Sequence, residues 1–135
     1  MKLIYDFSPE LIAQVYELYS HSWWGKERTL EQTTSCVQGS QLCIGVLDND
    51  DQLVGFARVI SDFTFKAIIF DVIVHPSQRN SGLGTKLIQA IQNHDKLKPI
   101  KHFELYCLPE MESYYQQFGF SADVGGIRLM RHENA

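Results

Sequence analysis

Between Val74 and Lys86 the chain sets Pro76, Arg79, Gly82, Gly84 and Lys86 in one short interval, after a β-branched run and before a helical one. Such a set can hold an anion. The apolar run Ile68 to Val74 must stop before Pro76, which lacks an N–H and has a fixed φ. From Leu83 onward, Leu83, Leu87, Ile88 and Ile91 recur at helical spacing, so a helix begins at about Ser81 to Gly82. Its first N–H groups have no intrahelical partner, and with the helix dipole they favour negative charge. Gly82 and Gly84 let a phosphate approach the backbone, and Arg79 and Lys86 add positive charge.

Two common phosphate motifs do not fit. A P-loop needs Gly-Lys-Ser/Thr, whereas here the order is Gly84-Thr85-Lys86. A Rossmann turn puts its glycines directly after the strand, but seven residues separate Val74 from Gly82 and Leu87 stands where the third glycine belongs. Glu104, about twenty residues on, keeps a dinucleotide as an open alternative.

The stretch Val74-x-Pro76-x-x-Arg79-x-x-Gly82-x-Gly84 resembles the acyl-CoA pyrophosphate loop of the GNAT superfamily of N-acetyltransferases. A second stretch, Tyr115-Gln-Gln-Phe-Gly119-Phe120, is similar to the Tyr-x-x-x-Gly-Phe segment that closes the acyl-CoA site in many members. With Gly55-Phe56-Ala57-Arg58 on a preceding strand, the resemblance runs from about residue 41 to 121. It implies acetyl-CoA as co-substrate, no metal, and transfer of the acetyl group to a primary amine by direct attack in a ternary complex. It also implies roles: Arg79, Asn80, Ser81, Gly82, Leu83, Gly84 and Thr85 around the pyrophosphate, and an N–H at Ile73 or Val74 on the acetyl carbonyl. Tyr115 would protonate the departing sulfur, with Tyr114 as the alternative. Many members carry an asparagine seven residues before this tyrosine; here that place is Leu108. A non-catalytic module of the same fold that binds acyl-CoA is the alternative to an enzyme.

Acyl transfer to an amine also needs a site for the acceptor. Asp71 interrupts an apolar strand just before the cradle, and a carboxylate buried there must be paired or protonated. It is either an ion pair with Arg58 or a lysine, or the anchor or base for the amine. Trp23, Trp24 and Arg28 lie between the first two helices, the region that covers the acceptor in this family. They either staple the helices to the sheet or shape a pocket by stacking and cation–π contact, Arg58 being a further substrate-side candidate. His75 reads as a loop residue.

The elements that must position these groups follow from local pattern. Residues 2 to 6 form a short strand, Ser8-Pro9 opens a helix over 9 to 20, and Thr29 to Gln32 has the form of a capping box for a second helix. Leu42 to Leu47, Leu53 to Ile60 and Phe63 to Val74 make a meander, the first two joined by the turn residues Asp48 to Asp51. A helix over 82 to 94 leads to a strand over His102 to Leu108, parallel to the last of the meander by the right-handed crossover rule. Met111 to Phe118 is helical, and Ile127 to Arg131 is a last strand. This is a mixed α/β (α+β) domain, and its β-α-α-β-β-β-α-β-α-β order matches the GNAT fold, in which strands four and five splay apart.

At 135 residues with 44% apolar content, the chain is expected to be one domain over 1–135. A net charge of −4 with 12 scattered Lys and Arg argues against nucleic acid and membrane surfaces as partners, and leaves a homodimer open. Cys36, Cys43 and Cys107 are odd in number and have no metal-ligand spacing. The start reaches Asp6 too soon for a signal peptide, so a cytoplasmic protein is expected.

Overall fold

A computed structural model describes all 135 residues. The elements run β1 (Lys2–Ile4), α1 (Pro9–Tyr19), α2 (Leu30–Gly39), β2 (Leu42–Leu47), β3 (Leu53–Ser61), β4 (Lys66–Val74), α3 (Leu83–Gln92), β5 (His102–Leu105) and α4 (Glu112–Gln116). Each of the first two helices starts where its cap dictates. The Ser8 hydroxyl accepts from the Leu11 N–H at 3.2 Å. Thr29 and Gln32 complete a capping box, with bonds of 3.0 Å and 2.9 Å.

The five strands lie in sequence order in one sheet. β1 to β4 pair antiparallel and β5 joins β4 in parallel. β2 is buried along its whole length because helices cover both faces. Leu42, Ile44 and Val46 pack with Leu87, Ile88 and Ile91 of α3, while Cys43 and Leu47 pack with Val15, Leu18 and Tyr19 of α1. Each such Leu or Ile contributes roughly 1.5–3 kcal/mol by leaving water. No helix is long and apolar enough to cross a membrane.

Strands β1 and β5 stop early, at Ile4 rather than residue 6 and at Leu105 rather than Leu108, and three further local features differ from the pattern read in the sequence. β4 starts at Lys66 rather than Phe63, because Asp62 turns the chain: its carboxylate accepts from the N–H groups of Thr64 (2.9 Å) and Phe65 (2.8 Å). The Met111 to Phe118 helix is shorter, a 3₁₀ turn over Pro109–Met111 followed by α4. The expected strand at Ile127 to Arg131 does not form, and Ile127, Leu129 and Met130 are 76%, 61% and 91% exposed. An apolar run becomes a strand only when it docks on a sheet edge, and this run lies exposed while both edge strands, β1 and β5, keep an unpaired side.

Candidate functional site

β4 is the element that organises the site. Its pairing with β5 covers only Lys66↔His102 to Ile69↔Leu105, yet β4 runs on to Val74. The two strands therefore part company after Ile69 and Leu105. Asp71 stands at the break with φ 56°, and the register against β3 slips there, from Arg58↔Phe70 to Phe56↔Ile73. This is a β-bulge, which bends a strand and changes the face each residue presents. Ala67 and Ile69, before the bulge, join the α3 side of the core, whereas Ile73, after it, joins the α1 side.

The bulge also decides which backbone donors are free. The His75 N–H donates to the Val54 carbonyl at 2.8 Å, so that flank is committed to β3. Successive strand N–H groups point to opposite flanks. The N–H of Val74, and by the same alternation that of Val72, faces the gap left by β5. Of the pair Ile73 and Val74, Val74 alone has its N–H on that flank; Ile73 shares the flank of His75. Val72 was not singled out in the sequence, because a bulge depends on a neighbouring strand that local pattern does not reveal.

Beyond β4 a 3₁₀ turn at Pro76–Gln78 carries the chain through Arg79 and Asn80 to α3. Asn80 has φ 64° and Ser81 ties the loop by donating to the Gln78 carbonyl. Gly82 is the N-cap with φ 85°, a conformation that suits glycine, and nothing lies within 4 Å of where its Cβ would be. No side chain caps this helix, and its first helical bond runs from the Lys86 N–H to the Gly82 carbonyl at 3.0 Å. The N–H groups of Leu83, Gly84 and Thr85 thus precede the ladder. Leu83 itself points into the core, 6% exposed, so only its backbone serves a ligand. Gly84 has a different reason to be glycine: a Cβ there would lie 2.6 Å from the Tyr114 hydroxyl.

α4 supplies both tyrosines. Tyr114 packs on Phe118 with centroids 5.3 Å apart, and Tyr115 on Phe120 at 6.2 Å. Burial first, then the neighbouring Tyr114 and Cys107, push the Tyr115 hydroxyl up to about 12, so it keeps its proton through the neutral range. Every buried side-chain nitrogen or oxygen has a hydrogen-bond partner, and the Tyr115 hydroxyl has none; it is therefore reached by solvent or a ligand.

Asp71 is fully engaged. Its carboxylate is 7% exposed and accepts from Arg28 at 2.6 Å, Arg58 at 2.7 Å and the Tyr19 hydroxyl at 2.9 Å. Burial alone would raise this carboxyl, but the hydrogen bonds and charges of Arg28 and Arg58 outweigh it and hold the group below the usual carboxylate range. Arg28 also lies over the rings of Tyr19 and Trp24, at 4.6 Å and 5.0 Å. Arg58 bonds Ser40 and covers Phe70. Of the two readings of Asp71, the ion pair with Arg58 is present, with Arg28 as a second partner; Arg28 and Arg58, set out as substrate-side candidates, are tied to Asp71, and none of the three lines the cleft.

The cleft itself, about 450 Å³, is lined by His21, Ser22, Trp23, Trp24, Val72, Ile73, Val74 and Arg79. Both tryptophans reach it: Trp23 is 70% exposed, while Trp24 is held edge-on to Tyr19 at 5.7 Å. Arg79 stands at the cleft rather than only at the cradle, so it borders both.

A strand that leaves its parallel neighbour beside an uncapped, glycine-led helix start is the arrangement the sequence resemblance implies, and the comparisons agree. The model of the acetyltransferase (GNAT) domain matches residues 40–122. The chain belongs to the GNAT acetyltransferase family. It is 33% identical over 110 residues to the N-acetyltransferase ycf52 of Pyropia yezoensis, itself uncharacterised, covering 79% of this chain and 63% of that protein. The chain thus spans less than two thirds of that relative's length. A GNAT-family protein from Xanthomonas campestris pv. campestris superposes with a TM-score of 0.83 at 26% identity, over 99% of this chain and 94% of the other. An aminoglycoside 6'-N-acetyltransferase solved with coenzyme A shares the fold, with a TM-score of 0.59 at 21% identity, over 68% of this chain and 53% of its own.

Proposed function

We propose that this GNAT protein binds acetyl-CoA through the Arg79 to Thr85 cradle and transfers its acetyl group to a primary amine by direct attack in a ternary complex. The observation that carries this reading is the parting of β4 from β5 directly beside the uncapped start of α3. The fit is chemical. The free N–H groups of Leu83, Gly84 and Thr85, with Arg79, match a pyrophosphate. The gap offers the Val72 and Val74 N–H groups to a thioester carbonyl, whose oxygen gains charge as the amine attacks. Tyr115 keeps its proton through the neutral range and is the group that would give it to the departing thiolate. When bound, the co-substrate brings the activated acetyl group; the chain orients it and manages protons. Asp71, Arg28 and Arg58 are positioning residues in this scheme. They fix the bulge and hold Trp24 in place.

The test is calorimetry of coenzyme A on the wild type and on Gly82→Val. A β-branched residue at φ 85° is strained and withdraws the cradle, so affinity should fall by about tenfold or more. Unchanged affinity would place the anion site elsewhere. Coenzyme A binding without thiol release for any amine would favour the non-catalytic module.

A further inference from the structure

The amine must lose protons to become an amide, and the cleft contains few groups that can take one. No carboxylate lines it. Asp71, the nearest in sequence to the cradle, is saturated by two guanidiniums and a tyrosine hydroxyl. Ser22 is also committed: its hydroxyl donates to the Tyr19 carbonyl and accepts from the Gly25 N–H, both at 2.9 Å. Arg79 is a permanent cation and the two tryptophans have no basic lone pair. One imidazole lines the cleft, that of His21, and a second, that of His75, stands beside it, with ring centroids 5.0 Å apart at an interplanar angle of 71°.

They are not equivalent. The Nδ1 of His75 accepts from the Ser77 N–H at 3.1 Å and lies 2.8 Å from the Ser77 hydroxyl. Its acceptor nitrogen is occupied, so the neutral ring carries its proton on Nε2 and has no lone pair to offer the cleft. His75 also closes β4 through its backbone bond to Val54. The His21 ring makes no hydrogen bond within the protein, lines the cleft and is exposed, so a proton it takes can pass to water.

We propose that His21 is the proton acceptor for the attacking amine, held in place by the ring of His75. This rests on the acetyl-transfer reading above. One N–H bond of the ammonium breaks and its proton moves to the free imidazole nitrogen of His21. The freed nitrogen pair forms the bond to the thioester carbon, the carbon–sulfur bond breaks, and the thiolate takes the Tyr115 proton. A second proton leaves the nitrogen as the amide forms and restores the tyrosine; the first leaves His21 for solvent. The charged or titratable groups around His21 are His75 from the end of β4, Arg79 from the cradle loop, Lys26 and Glu27 on its own loop, and, behind Trp24, the Asp71 cluster.

The experiment measures thiol release from acetyl-CoA with a panel of amino-acid amides and polyamines, and then a pH profile with the best amine. His21→Ala should lower kcat/KM at neutral pH by about 10²-fold, the usual scale for a lost general base. It should also remove the acid-side limb that follows histidine ionisation, leave coenzyme A affinity unchanged by calorimetry, and regain rate when imidazole is added to the buffer. A purely structural loop residue would show no imidazole rescue and no change in the limb. If His21→Ala keeps the wild-type rate and limb, or loses rate without rescue, the proposal is overturned while acetyl transfer stands. If the wild type acetylates no amine at all, the acetyl-transfer reading falls and this proposal with it.

Discussion

Asp71 accepts four hydrogen bonds from three residues, three on Oδ2 and one on Oδ1, and its neighbours have no substitute for it. Replacing it with asparagine leaves Arg28 and Arg58 facing each other without the counter-charge. Breaking a buried ion pair costs about 3–5 kcal/mol; since Arg28 keeps 30% exposure, we expect the lower end, about 3 kcal/mol, measured by urea unfolding. The pH dependence has a definite sign. A carboxyl held below its ordinary value stabilises the fold above about pH 3.9, and that stability drains away as pH falls through the native value. Urea midpoints of Asp71→Asn should therefore vary less with acidification than those of the wild type. Tyr115 gives a second prediction at this scale. Tyr115→Phe removes the proton donor and keeps the ring that packs on Phe120, so kcat should fall by roughly 10²-fold with coenzyme A affinity retained. Full activity in that variant would move the role to Tyr114 or to water.

α3 and α4 meet where Gly84 makes room for a hydroxyl. Gly84→Ala gains helix propensity, about 1 kcal/mol, but its Cβ would press on Tyr114 at 2.6 Å. The two effects should nearly cancel in the wild-type background. In Tyr114→Phe, where the hydroxyl is gone, the same Gly84→Ala should stabilise by about 1 kcal/mol, and a double-mutant cycle in urea reads the difference. The glycine had been read in the sequence as room for phosphate, and the structure gives it a second duty. This is typical of what was legible. The capping box at Thr29, the Pro9 start and the apolar stripe of α3 are local signals, and the structure has them where the chain says. Contacts set by distant residues were not legible: Tyr19 to Asp71 spans 52 positions, and the bulge exists only against β3. His21 escaped notice because no motif marks a lone histidine before two tryptophans; only the fold brings its ring against that of His75. The Ile127 to Arg131 segment shows the reverse error, a strand pattern that docks on neither open edge of the sheet.

Across the whole molecule the formal charge is −4, yet the cleft beside Trp23 and Trp24 lies on the positive side of that average. Arg79 and His21 line it without a carboxylate, and behind Trp24 two guanidiniums share the single charge of Asp71. One positive charge there has no counterpart. Any ammonium that settles nearby is repelled, which weakens its hold on the proton and makes the transfer to a neutral imidazole less uphill. The leftover charge therefore acts as a filter on basicity. Amines that already part easily with a proton pass it, as α-amino groups do near pH 8, while lysine-type amines near 10.4 and polyamines are penalised both by their proton and by their total charge. In competition at neutral pH, an amino-acid amide should out-compete spermidine for the acetyl group, and raising the salt concentration should narrow the gap.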